Sequence, residues 1–429
     1  MAQPGNHKND APHSNSTPIW LTDLSVRDIL AVLNPSEQKP KTRFVGGCVR
    51  DWMMRRDAGY DLDLATEWTP EQAMARLQHQ GFSLIPTGLK HGTITVLTKI
   101  PDHAPTLQKY VLEVTTLRRD VLSHGRHATV AWSDDWALDA ARRDFTINAL
   151  YMDGQGEIFD PLGGIDDIYA GNIRFIGDAH QRLAEDYLRL MRFFRFLAWF
   201  GRVPPAESEI LACREGLDKL RRHVAVERQW REIKKTLAAP DPAPTLKIMA
   251  DYGILPKILP EISPHGLRDL AALSQTELAQ KMTAHNFRRL AAMVAPDQVT
   301  NLAQRLKLSV SERHYLSHVT DFAQNWRQKT QDSGDFYAGL RKFGKAVLSD
   351  AAVIAASRGE LVTQEQWHEL SNWLPRDLPI SGDDVKELGL SEGQELGKIL
   401  KNLTRWWEVG GCQANRDQCL AQLRQILKA

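Results

Sequence analysis

Two adjacent glycines, Gly46 and Gly47, separate a short apolar stretch from a second one that carries Asp61 and Asp63. If both stretches are β-strands, residues two apart point to the same side, so the two carboxylates share one face of a sheet. Carboxylates on a rigid strand suit Mg²⁺, which prefers oxygen ligands and completes its shell with phosphates. A glycine turn lets phosphates approach the backbone closely. The combination predicts an α/β domain with a metal ion and a nucleoside triphosphate, arranged for nucleotidyl transfer.

Each part of this pattern also has a simpler interpretation. A lone Gly-Gly pair is usually only a turn, and a lone Asp-x-Asp is usually solvated surface, so a single match carries little weight. The order of the two parts and their strand context together favour a functional site at Asp61 and Asp63. The same order argues against a P-loop, because no Gly-Lys-Ser/Thr sequence follows the glycines.

The length of 429 residues predicts several domains rather than one core. The net charge of +1 does not by itself indicate a nucleic-acid partner, although a whole-chain sum can hide a local basic face. The four cysteines are scattered and form no Cys-x-x-Cys, which predicts reduced thiols, no zinc site and a cytoplasmic location. No apolar run is long enough to cross a bilayer, so no membrane partner is expected.

Short strands and helices are mixed up to about residue 178, and strand patterns nearly disappear beyond it. The predicted strands are Thr42–Val45, Asp61–Ala65, Gly92–Leu97, Tyr110–Thr115, Ala128–Trp132, Glu157–Asp160 and Ile173–Ile176, and the predicted early helices are Ser25–Leu33 and Pro70–Gln80. The remainder consists of amphipathic stretches punctuated by prolines, which predicts an all-helical region with short connections.

A third carboxylate, Glu113, lies in another apolar strand. A buried acid is costly unless it is paired or close to a metal ion. Glu113 is therefore the candidate third catalytic carboxylate beside Asp61 and Asp63. The alternative is a structural ion pair with an arginine such as Arg118.

The polar, basic stretch that follows, residues 118–127, predicts a mobile loop between strands. Its candidate functional residues are Arg118, Arg119, Gly125 and Arg126. An idle surface loop is the alternative.

Arg143 and Asp144 are predicted to begin an amphipathic helix, with Asn148 one turn later on the same face. Arg143 offers a guanidinium fork for phosphate. Asp144 offers an acceptor for a ribose hydroxyl, which would favour ribonucleotides. Asp144 could instead act only as a helix N-cap.

A predicted helix that begins near Glu185 carries Asp186, Arg189, Arg192 and Arg195 at intervals of three residues, beside an apolar face. The simpler interpretation is a surface ladder of ion pairs, which contributes little. The functional interpretation rests on geometry, because an aspartate beside an arginine presents one acceptor and a donor fork. That pattern pairs with the exposed edge of cytosine and, after a small shift, with that of adenine.

These residues resemble the motifs of the class II tRNA nucleotidyltransferases, the family of CCA-adding enzymes and bacterial poly(A) polymerases. Gly46–Asp51 with Asp61–Asp63 is similar to the first motif of that family. Three further stretches are similar to its later motifs, in the same order: Arg142–Leu150, Asp160–Gly164 and Glu185–Arg192. Together the four motifs cover about residues 40–235.

The resemblance implies an α/β nucleotidyltransferase head followed by an all-α neck, body and tail. The predicted boundaries are a disordered lead at 1–17, the head at 18–178, the neck at 179–240, the body at 241–330 and the tail at 331–429. It implies CTP and ATP as substrates, Mg²⁺ as cofactor, and the 3′ end and the acceptor and elbow region of tRNA as partner. The oligomeric state is left open.

The resemblance also implies residue roles. Asp61 and Asp63 would hold the metal and act in catalysis with Glu113. Asp186 and Arg189 would serve as a protein template for the base, and the loop at 118–127 would be needed for the final A. The residues implied in nucleotide binding are Gly46, Gly47, Arg50, Arg143, Asp144, Asn148, Asp186, Arg189, Arg192 and Arg195.

The expected function is template-independent addition of CMP and AMP to the 3′ end of tRNA, which builds or repairs CCA. A poly(A) polymerase or an A-adding enzyme of the same family is the alternative, although the strand at Gly88–Val96 looks more like the CCA-adding branch. A catalytically silent tRNA-binding protein is the alternative from another class. The presence of Asp61, Asp63 and Glu113 argues against it.

Overall fold

The computed structural model describes residues 18–35, 39–56, 61–89, 92–97, 111–124, 127–386 and 394–427. The chain divides into two compact units, Met1–Val224 and Ala225–Ala429. The predicted disordered lead at 1–17 lies outside the described residues. The predicted neck, 179–240, spans the division between the units, and the four domain boundaries stay predictions.

A mixed β-sheet dominates the first unit. The described strands are β1 (Thr42–Val45), β2 (Asp61–Thr66), β3 (Ser83–Gly88), β4 (Thr93–Leu97), β5 (Val111–Thr116), β6 (Arg118–His124), β7 (His127–Trp132), β8 (Tyr151–Met152) and β9 (Ile158–Phe159). Seven of them form one sheet of order β3-β4-β5-β2-β1-β8-β9. Its central pair, β2 and β5, is parallel, and the other neighbouring pairs are antiparallel. Strands β6 and β7 form a separate antiparallel ribbon.

Helices complete the first unit. They are α1 (Leu24–Leu33), α2 (Gly47–Met53), α3 (Pro70–His79), α4 (Trp136–Ala141), α5 (Gly164–Ala170), α6 (Ala179–Glu185), α7 (Leu188–Phe200) and α8 (Glu207–His223). Helices α1 and α3 lie where the sequence predicts them. Each begins after a side-chain cap, because Asp23 caps α1 and Thr69 forms a capping box with α3.

The two faces of the sheet differ in polarity, as the alternation along β2 predicts. Leu62 and Leu64 are fully buried on one face, and Phe44 of β1, which pairs with Leu64, is buried with them. The side chains of Asp61 and Asp63 project from the opposite face. Farther along β2 the face that carries the two aspartates is also packed, because Ala65 belongs to a buried cluster with Val45 and Trp136. Only the part of this face around Asp61 and Asp63 is available for chemistry.

The predicted mobile loop is wrong for the described part of 118–127. Arg118–His124 is strand β6, which pairs with β7 from Arg118 opposite Trp132 to His124 opposite His127. Its polar composition resembled that of a loop because a ribbon outside the main sheet does not need an apolar face. Gly125 and Arg126 lie outside the described residues.

The helix predicted from Arg143 is also wrong. Helix α4 ends at Ala141, and only a short 3₁₀ helix follows at Thr146–Asn148. The backbone between them bonds to a neighbouring segment, because the Ile176 N–H donates to the Asp144 carbonyl at 3.2 Å. The strand predicted at Ile173–Ile176 is reduced to one isolated bridge between Phe145 and Phe175.

The second unit contains only helices among its described elements, as predicted. They are α9 (Val226–Leu237), α10 (Ala243–Asp251), α11 (Leu255–Ile258), α12 (Gly266–Ala279), α13 (Asn286–Met293), α14 (Val299–Leu306), α15 (Val310–Gln324), α16 (Trp326–Lys329), α17 (Ser333–Ser357), α18 (Gln364–Asn372), α19 (Gly382–Lys386), α20 (Gln394–Val409) and α21 (Arg416–Ile426). Helix α17 is kinked at Gly344, whose φ of 84° is not helical. None of the described helices in the chain is long and apolar enough to span a bilayer.

Candidate active site

The glycine turn connects β1 directly to the N-terminus of α2. Gly46 has φ 76° and ψ −125°, a conformation that favours glycine, and α2 begins at Gly47. A Cβ atom on Gly46 would lie 3.8 Å from Nη1 of Arg143, so this guanidinium borders the turn. A helix N-terminus and a guanidinium on one turn form a setting suited to phosphate. The sequence predicted the turn but not the helix that follows it.

Three carboxylates lie side by side on the polar face of the sheet. In the parallel register of β2 and β5, Asp63 stands directly opposite Glu113, with Asp61 two residues before Asp63 on the same strand. Asp61 and Glu113 are exposed and Asp63 is half-buried. The expectation that Glu113 is buried is therefore wrong. Among the described residues Glu113 forms no ion pair, so the alternative of a pair with Arg118 is not seen.

The environment of Asp63 is short of positive charge. Burial raises the pKa of Asp63 to about 6, with further contributions from the neighbouring charges of Asp61 and Glu113, while Arg143 acts in the opposite direction. A cation beside Asp63 would stabilise the ionised form, which these surroundings disfavour. The residues therefore fit a divalent cation electrostatically.

The same carboxylates do not form a closed metal cage. No three acidic, histidine or cysteine side chains of the described residues converge on one point. This open arrangement agrees with the habit of Mg²⁺, which takes one or two carboxylates and completes its shell with water and substrate phosphates. Asp61 and Asp63 thus fit an Mg²⁺ ion that arrives with a nucleotide.

Arg143 is held beside the turn by a buried pair that sequence reading missed. Asp139, which is 1% exposed, accepts a hydrogen bond from Arg143 at 3.1 Å and another from the Tyr151 hydroxyl at 2.8 Å. Burial alone would raise the pKa of Asp139, but Arg143 and Arg142, with the Tyr151 hydroxyl, lower it overall. The backbone N–H of Arg118 also points at this carboxylate, at 3.4 Å. The available signal was an aspartate one helical turn before Arg143.

Replacing Asp139 by asparagine is expected to weaken nucleotide binding through Arg143. A lost hydrogen bond between charged groups is worth about 1.5–3 kcal/mol, so KM for CTP should rise about tenfold or more. Because the pKa of Asp139 is lowered by folding, its contribution to stability is present above the unfolded value of 3.8 and is lost as the pH falls below it. Tyr151→Phe should show a smaller rise in KM, and Asp135→Asn, an exposed position at the start of α4, should show none.

A second network joins four predicted nucleotide-binding residues. Arg50 donates from Nη1 to Asn148 at 2.6 Å, and Asn148 donates to Asp144 at 3.0 Å. Arg192 donates from Nε to the other oxygen of Asp144 at 2.6 Å. Each oxygen of Asp144 thus already accepts a hydrogen bond, so a ribose hydroxyl would share one of these oxygens with its present partner.

Arg50 lies behind the site rather than on its surface. Its side chain is 8% exposed, donates to Asp51 at 2.9 Å, and lies 4.4 Å from the Phe200 ring. Burial lowers the pKa of Arg50, against the opposing effect of Asp51. These contacts support a bracing role for Arg50, through Asn148, and do not place it in contact with a phosphate.

The predicted template helix is interrupted at its start. Helix α6 ends at Glu185 and α7 begins at Leu188, so Asp186 stands between them in an extended conformation. Its carboxylate accepts the Leu188 N–H at 3.0 Å, which replaces helix continuation by a cap. Asp186 and Arg189 are therefore not on one helical face as predicted, although both stay at the same junction.

Arg189 is paired with Glu185 in this structure. Its guanidinium contacts that carboxylate and also donates to the carbonyl of Arg142 at 3.1 Å. The second contact ties α7 to the end of α4, next to Arg143. Arg195 lies further along α7 and packs over the Phe196 ring at 4.3 Å.

In the β6–β7 ribbon, the side chain of Arg119 is exposed.

Two family models match the chain. The Poly A polymerase head domain matches residues 42–174, and the probable RNA and SrmB-binding site of polymerase A matches residues 212–265. The first covers the glycine turn, the three carboxylates and Arg143.

Known proteins resemble the chain over most of its length. Human mitochondrial CCA tRNA nucleotidyltransferase 1 is 30% identical over 408 residues, which are 91% of this chain and 88% of that protein. The CCA-adding enzyme of Geobacillus thermodenitrificans is 37% identical over 242 residues, 56% of each chain. The Bacillus stearothermophilus CCA-adding enzyme, solved in complex with CTP, shares the fold with a TM-score of 0.68 and 24% identity over 96% of this chain and 98% of that one. The chain belongs to the CCA tRNA nucleotidyltransferase family.

Proposed function

We propose that this chain adds CMP and AMP to the 3′ end of tRNA, without a nucleic-acid template, to build or repair CCA. The observation that carries the proposal is the row of Asp61, Asp63 and Glu113 on one sheet face, with Arg143 at the adjoining glycine turn. Relatives that are named for CCA addition, and a fold shared with a CCA-adding enzyme solved with CTP, support it.

The residues of the chain divide the work of binding and orientation. Arg143 and the N–H groups at the start of α2 would receive the triphosphate. Asp61 and Asp63 would hold Mg²⁺, which when bound lowers the pKa of an attacking hydroxyl and neutralises charge on the leaving oxygens. Glu113, opposite Asp63, would orient the 3′-hydroxyl for in-line attack on the α-phosphate. The metal assignment is part of the proposal.

Base selection is assigned to the junction of α6 and α7. Asp186 supplies an acceptor just before α7 begins, and Arg189 supplies a donor fork in its first turn. For Arg189 to read a base, its guanidinium must exchange at least part of its present contact with Glu185. Asp144 and Arg192 would contact the ribose and phosphate together, since they already form a pair.

The test supplies CTP and ATP separately and together. The protein is incubated with tRNA that ends at the discriminator base, with CTP alone, ATP alone, or both. The proposal predicts two added residues with CTP, almost none with ATP, and three with both. Long A tracts with ATP alone would identify a poly(A) polymerase. No addition to this tRNA, with addition of A to a parallel sample of tRNA that ends in CC, would identify an A-adding enzyme.

Shortening the β6–β7 ribbon is expected to stop A addition more than C addition. One pocket must change its specificity after two additions, and a basic ribbon attached beside Asp139 is suited to that change. The deletion removes two cross-strand pairs, Ser123 with Ala128 and His124 with His127. The pairing of the other residues of β6 and β7 is kept. We expect products ending in CC on a sequencing gel. A variant that completes CCA at the normal rate, or that loses every step equally, would contradict this role.

A cytoplasmic location stays a prediction, since the human relative is named as mitochondrial. All four cysteines are free and buried.

A further inference from the structure

A pocket in the first unit lies where α2 and α7 end. Its volume is about 400 Å³, and it lies roughly 16 Å along α7 from Arg189, at the helical rise of about 1.5 Å per residue. Its lining includes Arg55, Arg56, Arg202, Tyr169, Trp199 and Phe200. Phe200 also packs against Arg50, and the other five are not among the residues of the nucleotide site described above.

Two arginines of this pocket are fixed by the backbone. Arg56 donates to the Trp199 carbonyl at 3.0 Å and lies 4.8 Å from the centre of the Phe200 ring. Arg202 donates to the carbonyls of Ile168 at 2.8 Å and Tyr169 at 2.6 Å. Carbonyl groups orient a guanidinium without neutralising its charge.

The surroundings of this pair differ from those of the arginines around the nucleotide site. Most other arginines near the active site pair with a carboxylate, as in Arg50–Asp51, Arg142–Asp139, Arg174–Asp167, Arg189–Glu185 and Arg192–Asp144. Within the described part of the chain, no carboxylate pairs with Arg56 or Arg202. The pocket therefore presents oriented positive charge that suits an anion.

Aromatic surface adjoins this charge. Tyr169 is 46% exposed, and Trp199 is partly exposed. Arginines beside accessible rings form the usual combination for single-stranded nucleic acid, in which phosphates meet the cations and bases stack on the rings. Arg55, at the rim, holds a φ of 53°, which is a costly conformation for a residue other than glycine.

We propose that this pocket binds one nucleotide unit of the tRNA at a distance from the reacting 3′ end. Its phosphate contacts Arg56 and Arg202, and its base lies against Tyr169 or Trp199. This inference rests on the proposed function, because that function supplies the RNA. The pocket anchors the tRNA and takes no part in the choice of the incoming nucleotide.

Arg56→Gln and Arg202→Gln test the proposal, since each keeps the side-chain stem and removes the charge. Dissociation constants for tRNA are measured at several salt concentrations. We expect each variant to bind about threefold to tenfold more weakly and to lower the slope of log K against log salt by about 1. KM for CTP and kcat at saturating tRNA stay at the wild-type values. Arg76→Gln is the matched control, because Arg76 lies 3.7 Å over the Trp68 ring elsewhere in the unit.

Equal tRNA affinity and equal salt slope in all three variants would overturn the proposal. A raised KM for CTP with unchanged tRNA affinity would also overturn it, because the pocket would then serve free nucleotide. Arg202→Lys, which keeps the charge, should retain most of the affinity, and a loss as large as that of Arg202→Gln would indicate a folding effect instead. Nucleotide addition by the wild-type protein is confirmed before these assays. Unchanged tRNA binding in the variants would then contradict this pocket alone and not the proposed function.

Discussion

Replacing Asp61 or Asp63 by alanine is expected to abolish nucleotide addition while tRNA binding survives. Both side chains lie on the face of β2 opposite Leu62 and Leu64, beside Glu113. A metal ion contributes several kcal/mol of transition-state stabilisation, so the loss of one ligand should slow addition by about a thousandfold or more. Single-turnover rates at limiting Mg²⁺ measure the loss, and filter binding measures tRNA affinity.

Asp63→Asn separates this role from a structural one. The pKa of Asp63 is raised to about 6 in the folded protein, against 3.8 as the ordinary value. Its ionisation therefore lowers stability as the pH rises from about 4 to 6, and the metal-free asparagine variant should melt no lower than wild type at pH 7. Asp28→Asn, an exposed change on α1, is the activity control. Normal turnover in either alanine variant would disprove the metal assignment.

Replacing Asp186 by alanine is expected to relax base selection more than it weakens triphosphate binding. A lost base contact is worth about 1–3 kcal/mol of discrimination, by analogy with groove readout, so UTP and GTP should be misincorporated about 10-fold to 100-fold more often. The measurement is the addition rate for each of the four nucleotides on the same tRNA.

The structure adds a control for this variant. Asp186 also caps the Leu188 N–H, so alanine could disturb the start of α7 without any role in reading bases. Asp186→Ser retains a capping oxygen and removes the carboxylate. Relaxed selection in both variants supports the template role. Equal loss of rate for all four nucleotides, with selection unchanged, would show that this junction does not read the base.

The carboxylate pair on β2 was predictable because its cause is local. Side chains alternate along a strand, and the apolar residues at Leu62 and Leu64 fixed which face was left for Asp61 and Asp63. The position of Glu113 opposite Asp63 depends on the pairing of strands fifty residues apart, which alternation within one strand does not determine.

The remaining differences arise where side chains compete with the backbone. Asp186 caps α7 instead of continuing a helix, and the Asp144 carbonyl is bonded to Ile176, so neither region follows its local helical pattern. Asp139 contacts Arg143 and Tyr151, and it was missed because the contact with Tyr151 depends on the placement of β8. Helical spacing alone indicated the contact with Arg143.

The central claim is that one site adds C, C and A to tRNA and then stops. The most direct measurement is sequencing of tRNA 3′ ends after incubation of the wild-type protein with all four nucleotides. Starting from tRNA without CCA, we predict products that end in CCA, with none longer, and no addition to tRNA that already ends in CCA. Homopolymeric A tails, products that end in CC, or no extension at all would contradict this claim.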